Sequence, residues 1–298
     1  MLFSASFTLS RHRAAPSRRN GFRRNGDATF PLDVGFAEVG MLKRRDWTGV
    51  AALVALLAAR ATLAEDVWDA VGDDGSCTTN VELVHGAIQR HDLQAFSGII
   101  PDTDFALVQQ RAHRSYEVRV SNSAIRLAEL TPPARVDCAG NVVTAGAPYE
   151  NVARDAVSIR WRATADGSTY IRTGGFLAGP SALYDIQMLE TTYSVPRFNN
   201  SATQQTVLVV QNLRASSVSG GIAFFGSGGG APVLTHPFTL AAHALLVLNT
   251  SSLPAVAGTS GSILIAHDGG YGALGGKAVA LESATGFTFD TQFDAKPY

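Results

Sequence analysis

The sequence predicts an all-β protein, with two consecutive antiparallel β-sandwich domains after a disordered or helical N-terminal export segment. Three observations predict it. Short runs with period-two alternation recur from residue 105 to residue 290, separated by Gly, Ser, Asn and Asp. Sustained helical periodicity is scarce over the same stretch. Before it stands one apolar run with the flanks of a secretory signal.

The export segment is residues 41–64, "MLKRRDWTGVAALVALLAARATLA". Lys43, Arg44 and Arg45 form its positive end, and residues 50–59 are an uninterrupted apolar run of ten. Ala59-Arg60-Ala61 and Thr62-Leu63-Ala64 each offer the small residues that signal peptidase reads, so cleavage is expected near Ala61 or Ala64. A spanning helix needs about 20 apolar residues, and Arg60 ends this run early, so no stable membrane span is expected. Residues 1–40 hold six Arg and no Lys. They read as an Arg-rich targeting extension or as a start assigned too early, with Met41 the true first residue. The second reading is preferred, because a signal peptide works at an N-terminus. The expected address is secreted, periplasmic or cell-surface.

Of the 24 Lys and Arg, 10 precede Glu65, against 4 of the 25 Asp and Glu; residues 65–298 therefore hold 14 basic and 21 acidic residues, net −7. That sign does not suit a polyanion, which argues against a nucleic-acid partner. The chain has two cysteines, Cys77 and Cys138. In an oxidising compartment a disulfide between them is the natural reading, and two cysteines alone make a poor metal site.

The first unit is residues 65–190, with strands expected at 105–109, 115–120, 125–130, 141–144, 157–163, 169–172 and 183–189. In "SYEVRVS", Tyr116, Val118 and Val120 alternate with Glu117 and Arg119; in "VSIRWRATADGSTYIRT", Val157, Ile159 and Trp161 face one way and Ser158, Arg160 and Arg162 the other. Asp166-Gly167 then predicts a hairpin. "NVELVHGAIQRHDLQAF" is read as a strand, since Gly86 and β-branched residues oppose a long helix. The second unit is residues 191–298, with strands expected at 205–212, 221–225, 232–240, 244–248, 262–267, 277–281 and 287–290. It has only 4 basic and 4 acidic residues, a weakly polar surface that suits a partner or a Ser/Thr/Asn-rich exterior. "GSGGGAP" at 226–232 is read as a hairpin tip rather than a linker.

The segment "PDTDFALVQQRAHRSYEVRV" resembles the D-x-D-aromatic strand start and following Y-x-V-x-V strand of bacterial pre-peptidase C-terminal-like domains. The region from "ETTYSVPRFNN" to "SATGFTFDT" resembles the C-terminal half of a group of exported bacterial proteins. The resemblance implies a small β-sandwich for residues 65–190, an Ig-like sandwich for 191–298, and export; it implies no chemistry.

Chemical motifs are few. Gly270, Gly272 and Gly275 in "GGYGALGG" meet G-x-G-x-x-G spacing, and Asp290 lies twenty residues beyond Gly270. A dinucleotide site needs a helix N-terminus next, whereas strand-like residues follow, so a Gly-rich hairpin is expected. Asp73-Asp74-Gly75 and Asp102-x-Asp104 are calcium candidates, Asp102 and Asp104 above all, although hard cations want six or more oxygens and Asp-Gly also makes turns. The histidines after Glu65 (His85, His91, His113, His236, His243 and His267) match no metal motif, and no G-x-S-x-G elbow occurs. Trp68, Trp161, Tyr149, Tyr170, Tyr184 and Tyr193 offer sugar-stacking rings, but Trp161 shares a face with Val157 and Ile159 and is assigned to the core. No catalytic residue and no cofactor is expected. The reading is a non-catalytic secreted or surface binding or structural protein of a bacterium, its ligand an envelope polysaccharide or a surface protein. The alternatives are an accessory subunit of a secreted hydrolase, or a small hydrolase with a distributed site.

Overall fold

The computed structural model describes Trp68 and residues 74–93, 102–121, 131–148, 156–175, 183–293 and 295–297, all within one compact unit, Arg60–Tyr298. The export segment, residues 1–40, and the strand expected at 125–130 lie outside the described residues. Among the described residues no helix is long and apolar enough to cross a membrane.

Alternation that buries one face of each strand dictates the architecture. The first nine strands are β1 (Ile88–Asp92), β2 (Asp102–Gln110), β3 (Ser115–Ser121), β4 (Thr131–Val136), β5 (Val142–Ala145), β6 (Ala147–Pro148), β7 (Ala156–Arg162), β8 (Gly167–Gly175) and β9 (Leu183–Glu190). They form two antiparallel sheets, ordered β1-β9-β3-β7-β6 and β2-β8-β4-β5. Val118, Ile159 and Ile186 from the first sheet meet Val108 and Ile171 from the second in one buried core, and Trp161 lies in it as expected. The remaining strands are β10 (Tyr193–Asn199), β11 (Gln204–Asn212), β12 (Val218–Gly226), β13 (Leu234–Leu240), β14 (Leu245–Asn249), β15 (Ser260–His267), β16 (Leu274–Glu282) and β17 (Phe287–Gln292). Their sheets run β10-β15-β12-β13 and β14-β11-β16-β17. Phe198, Phe224, Ile263 and Ile265 from one close on Leu208 and Val210 from the other. Each such side chain contributes about 1.5–3 kcal/mol of burial.

Several expectations are corrected. The chain from β7 to β8 is no hairpin: β7 pairs with β3, while β8 pairs with β2 and β4. Ala163 still exchanges hydrogen bonds with the strand-β3 side, at His113 and Arg114, and the next residues cross to the opposite sheet. Asp166 Oδ1 accepts the Ala112 amide at 2.7 Å instead of closing a two-residue turn. Trp161 and Ile171 thus stand on opposite walls of the core, which a hairpin would forbid. The stretch from Val81 to Asp92 is not one strand either. Its first part bridges Leu107 and then Met188, and Gly86 at φ 81° turns it into β1. Three strands were not expected, β4, β6 and β10, and each contains proline. In β4 the ladder slips past Pro132 and Pro133, and in β10, an edge strand, it shifts between Val195 and Phe198 around Pro196. The tip at 226–232 does join an antiparallel pair, β12 and β13.

A disulfide joins Cys77, in the loop before β1, to Cys138, in the β4–β5 turn, with Cα atoms 5.3 Å apart across 61 residues of sequence. A closed loop of that length restricts the unfolded chain by roughly 4 kcal/mol in the chain-entropy account.

Candidate functional site

Only Thr191 and Thr192 separate β9 from β10, and both are buried. Thr191 N–H donates to Ser115 O at 2.8 Å and its hydroxyl to Ser115 Oγ at 2.8 Å, so the connection is stitched to the start of β3. His267, at the end of β15, faces Thr191 O through Nε2 at 3.0 Å. The carbonyl can only accept, so Nε2 carries the hydrogen. Burial pushes the His267 imidazole down to about 4, which keeps it neutral at neutral pH.

The centre of the polar face of β3 and β7 meets the turn after β15 rather than solvent. Glu117 is wholly buried there. Its Oε1 accepts Ser158 Oγ at 2.8 Å and Arg160 Nε at 2.9 Å, and its Oε2 accepts Arg119 Nη2 at 2.8 Å and the Tyr271 amide at 2.9 Å. Burial by itself raises the Glu117 carboxyl; the Tyr271 amide, Arg119, Arg160 and Ser158 together outweigh it and hold the carboxyl below its usual range. A side chain at Gly270 would place Cβ 2.9 Å from Glu117 Oε1 and 3.2 Å from Arg160 Nη2, so it would have to displace the ends of this ion pair. The G-x-G-x-x-G run is therefore the arch by which one sandwich docks on the other. It joins β15 to β16, in different sheets, so it is not a hairpin turn, and a strand rather than a helix follows it.

Beside this contact lies a cleft of about 330 Å³, lined by Arg160, Arg214, Ser216, Ser217, Asp268 and the Gly269-Gly270 backbone. Arg214 reaches Tyr271 O at 2.7 Å, and Asp268 Oδ1 accepts the Ser219 amide at 2.7 Å, so both charged side chains are held in place. Two guanidinium groups, a carboxylate and two serines would suit a small, hydroxyl-rich ligand with an anionic group.

A second polar cluster is closed inside the first sandwich. Asp74, His91 and Asp104 are each almost fully buried, and their donor atoms lie within 4.8 Å of one another. His91 on β1 stacks on Tyr184, its partner on β9, at 5.4 Å, and Trp68 covers its other face at 5.4 Å. The Tyr184 hydroxyl donates to Asp104 Oδ2 at 2.6 Å. Burial and the Asp104 carboxylate push the Tyr184 phenol well above its usual range, so it remains a donor.

The candidate calcium ligands are thus divided. Asp104 and Asp74 come together, although they belong to two separate acidic motifs; Asp102 begins β2, its side chain outside the described residues, as is Asp73. His91 carried no sequence motif. The signal that points to it is inverted alternation in "IQRHD", where Gln89 and His91 face inward and Ile88 and Arg90 outward. Among the described residues Trp161, Tyr184 and Tyr193 are core residues and Trp68 stacks on His91, so these four are not a sugar platform; Tyr170 is half-buried, and Tyr149 lies outside the described residues. Other histidines serve packing. His85 accepts the Glu190 amide at Nδ1, and its Nε2 faces the Lys296 and Pro297 carbonyls; His113 sits edge-on to Phe225 across the junction. Compared with known proteins, the chain matches no family model and no curated sequence.

Proposed function

We propose that the protein is an exported, non-catalytic binding protein of the bacterial surface or periplasm, whose ligand is an acidic envelope polysaccharide held at the cleft between the two sandwiches. The single observation that carries the reading is the grouping of Arg160 and Arg214 with Ser216, Ser217 and Asp268 around one polar cleft. Arginine forks suit the carboxylate of a uronic acid, and the serines and Asp268 suit its hydroxyls. Export through the Met41 segment, with removal near Ala61 or Ala64, belongs to the same proposal; the disulfide supports it. A pre-peptidase-like role for the first sandwich, beside a secreted hydrolase, fits the same cleft if that enzyme's substrate is the polysaccharide.

A second reading, a surface-protein partner, is favoured by the edge strands of one sheet. Leu245 and Val247 on β14, and Phe287 and Phe289 on β17, are all more than half exposed. Edge strands with exposed apolar side chains invite pairing with another chain.

Calorimetric titration of the full chain with uronate-containing and neutral oligosaccharides tests the first reading. Binding of the acidic series, lost in Arg214→Ala, is expected. No binding to any acidic glycan, or binding indifferent to Arg214→Ala, overturns it. Capture of a surface protein that is abolished by Val247→Lys would instead establish the second.

A further inference from the structure

The hydrogens around His91 can be assigned. Gln89 Nε2 donates to Glu82 O at 2.8 Å, which turns Gln89 Oε1 toward His91 Nε2, 3.2 Å away. An amide oxygen only accepts, so Nε2 carries a hydrogen, and in the tautomer with that one ring hydrogen Nδ1 presents a lone pair. That lone pair faces Asp74 Oδ2 at 3.5 Å. Asp74 Oδ2 is buried and accepts no hydrogen bond. In that tautomer two acceptors oppose each other in the buried interior, and a second carboxylate, Asp104, stands beside them. An arrangement of this kind costs free energy unless a proton or a metal cation lies between the two atoms, and only a dication offsets both carboxylates.

We propose that Asp74, His91 and Asp104 bind a divalent first-row transition-metal ion, with zinc the reference case. Two carboxylates and a neutral imidazole balance a dication, which leaves the interior electrically neutral. Donors about 2.0–2.2 Å from zinc stand roughly 3.4 Å apart in a tetrahedron, close to the Asp74–His91 separation. The surrounding groups are those of a supported metal site: the second imidazole nitrogen donates to an acceptor, Gln89, and one carboxylate is oriented by a donor, Tyr184. The Trp68 and Tyr184 rings fix the imidazole plane. Calcium fits less well than the acidic motifs suggest, since it wants six to eight oxygens and one of these three donors is nitrogen. The site is inside the first sandwich, so it does not depend on the ligand of the cleft.

The test is metal analysis of the full chain, purified without added metal, then stripped, unfolded and refolded with and without Zn²⁺. One equivalent bound, with a raised unfolding temperature, is expected for the wild type. Asp74→Asn should lose binding altogether. Gln89→Ala, which leaves all three donors, should weaken it by about 10–100-fold. Exposed histidines can also hold zinc, so the Co²⁺-loaded wild type is examined by X-ray absorption; one imidazole in an otherwise oxygen shell is expected, a result independent of whether any variant folds. Absence of stoichiometric Zn²⁺, Co²⁺ or Mn²⁺ in the refolded wild type overturns the proposal. So does binding that Asp74→Asn leaves intact.

Discussion

Removing the Glu117 carboxylate should cost the protein a large part of its stability. Five hydrogen bonds end on this one group: from Ser158, from Arg160, two from Arg119, and from the Tyr271 amide of the other sandwich. Hydrogen bonds to charged groups are worth about 1.5–3 kcal/mol each, but the sum overstates the loss, because partners can relax. Arg119 and Arg160 are roughly a quarter exposed and can turn to water. Ser158 and the Tyr271 amide cannot follow them as easily. The expected cost of Glu117→Ala is therefore about 3–5 kcal/mol, the range for breaking a buried ion pair from one side. Glu117→Gln keeps the volume but points an NH₂ group at donors, and should cost about 2–4 kcal/mol. In a chain of this size that lowers Tm by roughly 10 °C. The assay is urea unfolding at pH 7.5, followed by tryptophan fluorescence and circular dichroism, with Lys277→Ala as control. Lys277 pairs with Asp290 at the surface, both about half exposed, and its loss should leave the unfolding midpoint nearly unchanged. The two sandwiches should also begin to unfold separately in the Glu117 variants, which broadens the transition and lowers its slope. A Glu117→Ala cost near that of Lys277→Ala would refute the reasoning.

Three further outcomes are expected. Acid should weaken the fold early: His267 titrates near 4 when folded and about 6.5 when unfolded, so the unfolded chain binds more protons and stability falls as pH drops through that window. The loss should reach about 2 kcal/mol by pH 5, seen in denaturant midpoints and suppressed in His267→Asn; a flat profile between pH 7 and 5 would contradict it. Glu117, whose carboxyl is held low, adds its loss only below its unfolded range of about 4.5. Reduction of the Cys77–Cys138 bond should cost about 2–5 kcal/mol, read as a fall in Tm with dithiothreitol that Cys77→Ser/Cys138→Ser reproduces without it. Gly270→Ala should cost about 1–3 kcal/mol, because its Cβ meets Glu117 Oε1 and cannot move without the arch, whereas Gly228→Ala, in open space, should be nearly neutral.

Much of the fold is legible in short patterns. The alternation of Val157, Ile159 and Trp161 with Ser158 and Arg160 identifies a strand with one core face, and that face is buried. What the polar face does is not local information. Glu117 and Arg160 look like solvated residues because the arch that covers them comes from more than a hundred residues later. The same limit applies to the arch between β7 and β8: Asp166-Gly167 specifies a turn, but which sheet receives the next strand depends on competition among all the edges. Prolines hid β4 and β10, since proline argues against a strand unless the ladder can slip around it. In the buried cluster, Asp74 and Asp104 were visible as acids but not as neighbours. Phe105 N–H donates to Asp74 O at 2.6 Å, a tertiary contact that brings the two together.

The two-threonine connection between the sandwiches has a kinetic consequence. Because Thr191 and Thr192 are buried and hydrogen-bonded to β3, this connection is a poor hinge, and under the proposed function a ligand would meet a cleft already shaped. Association should then proceed in one phase, with an observed rate linear in ligand concentration and no plateau from a preceding isomerisation. Discrimination between ligands would reside in how fast each one leaves.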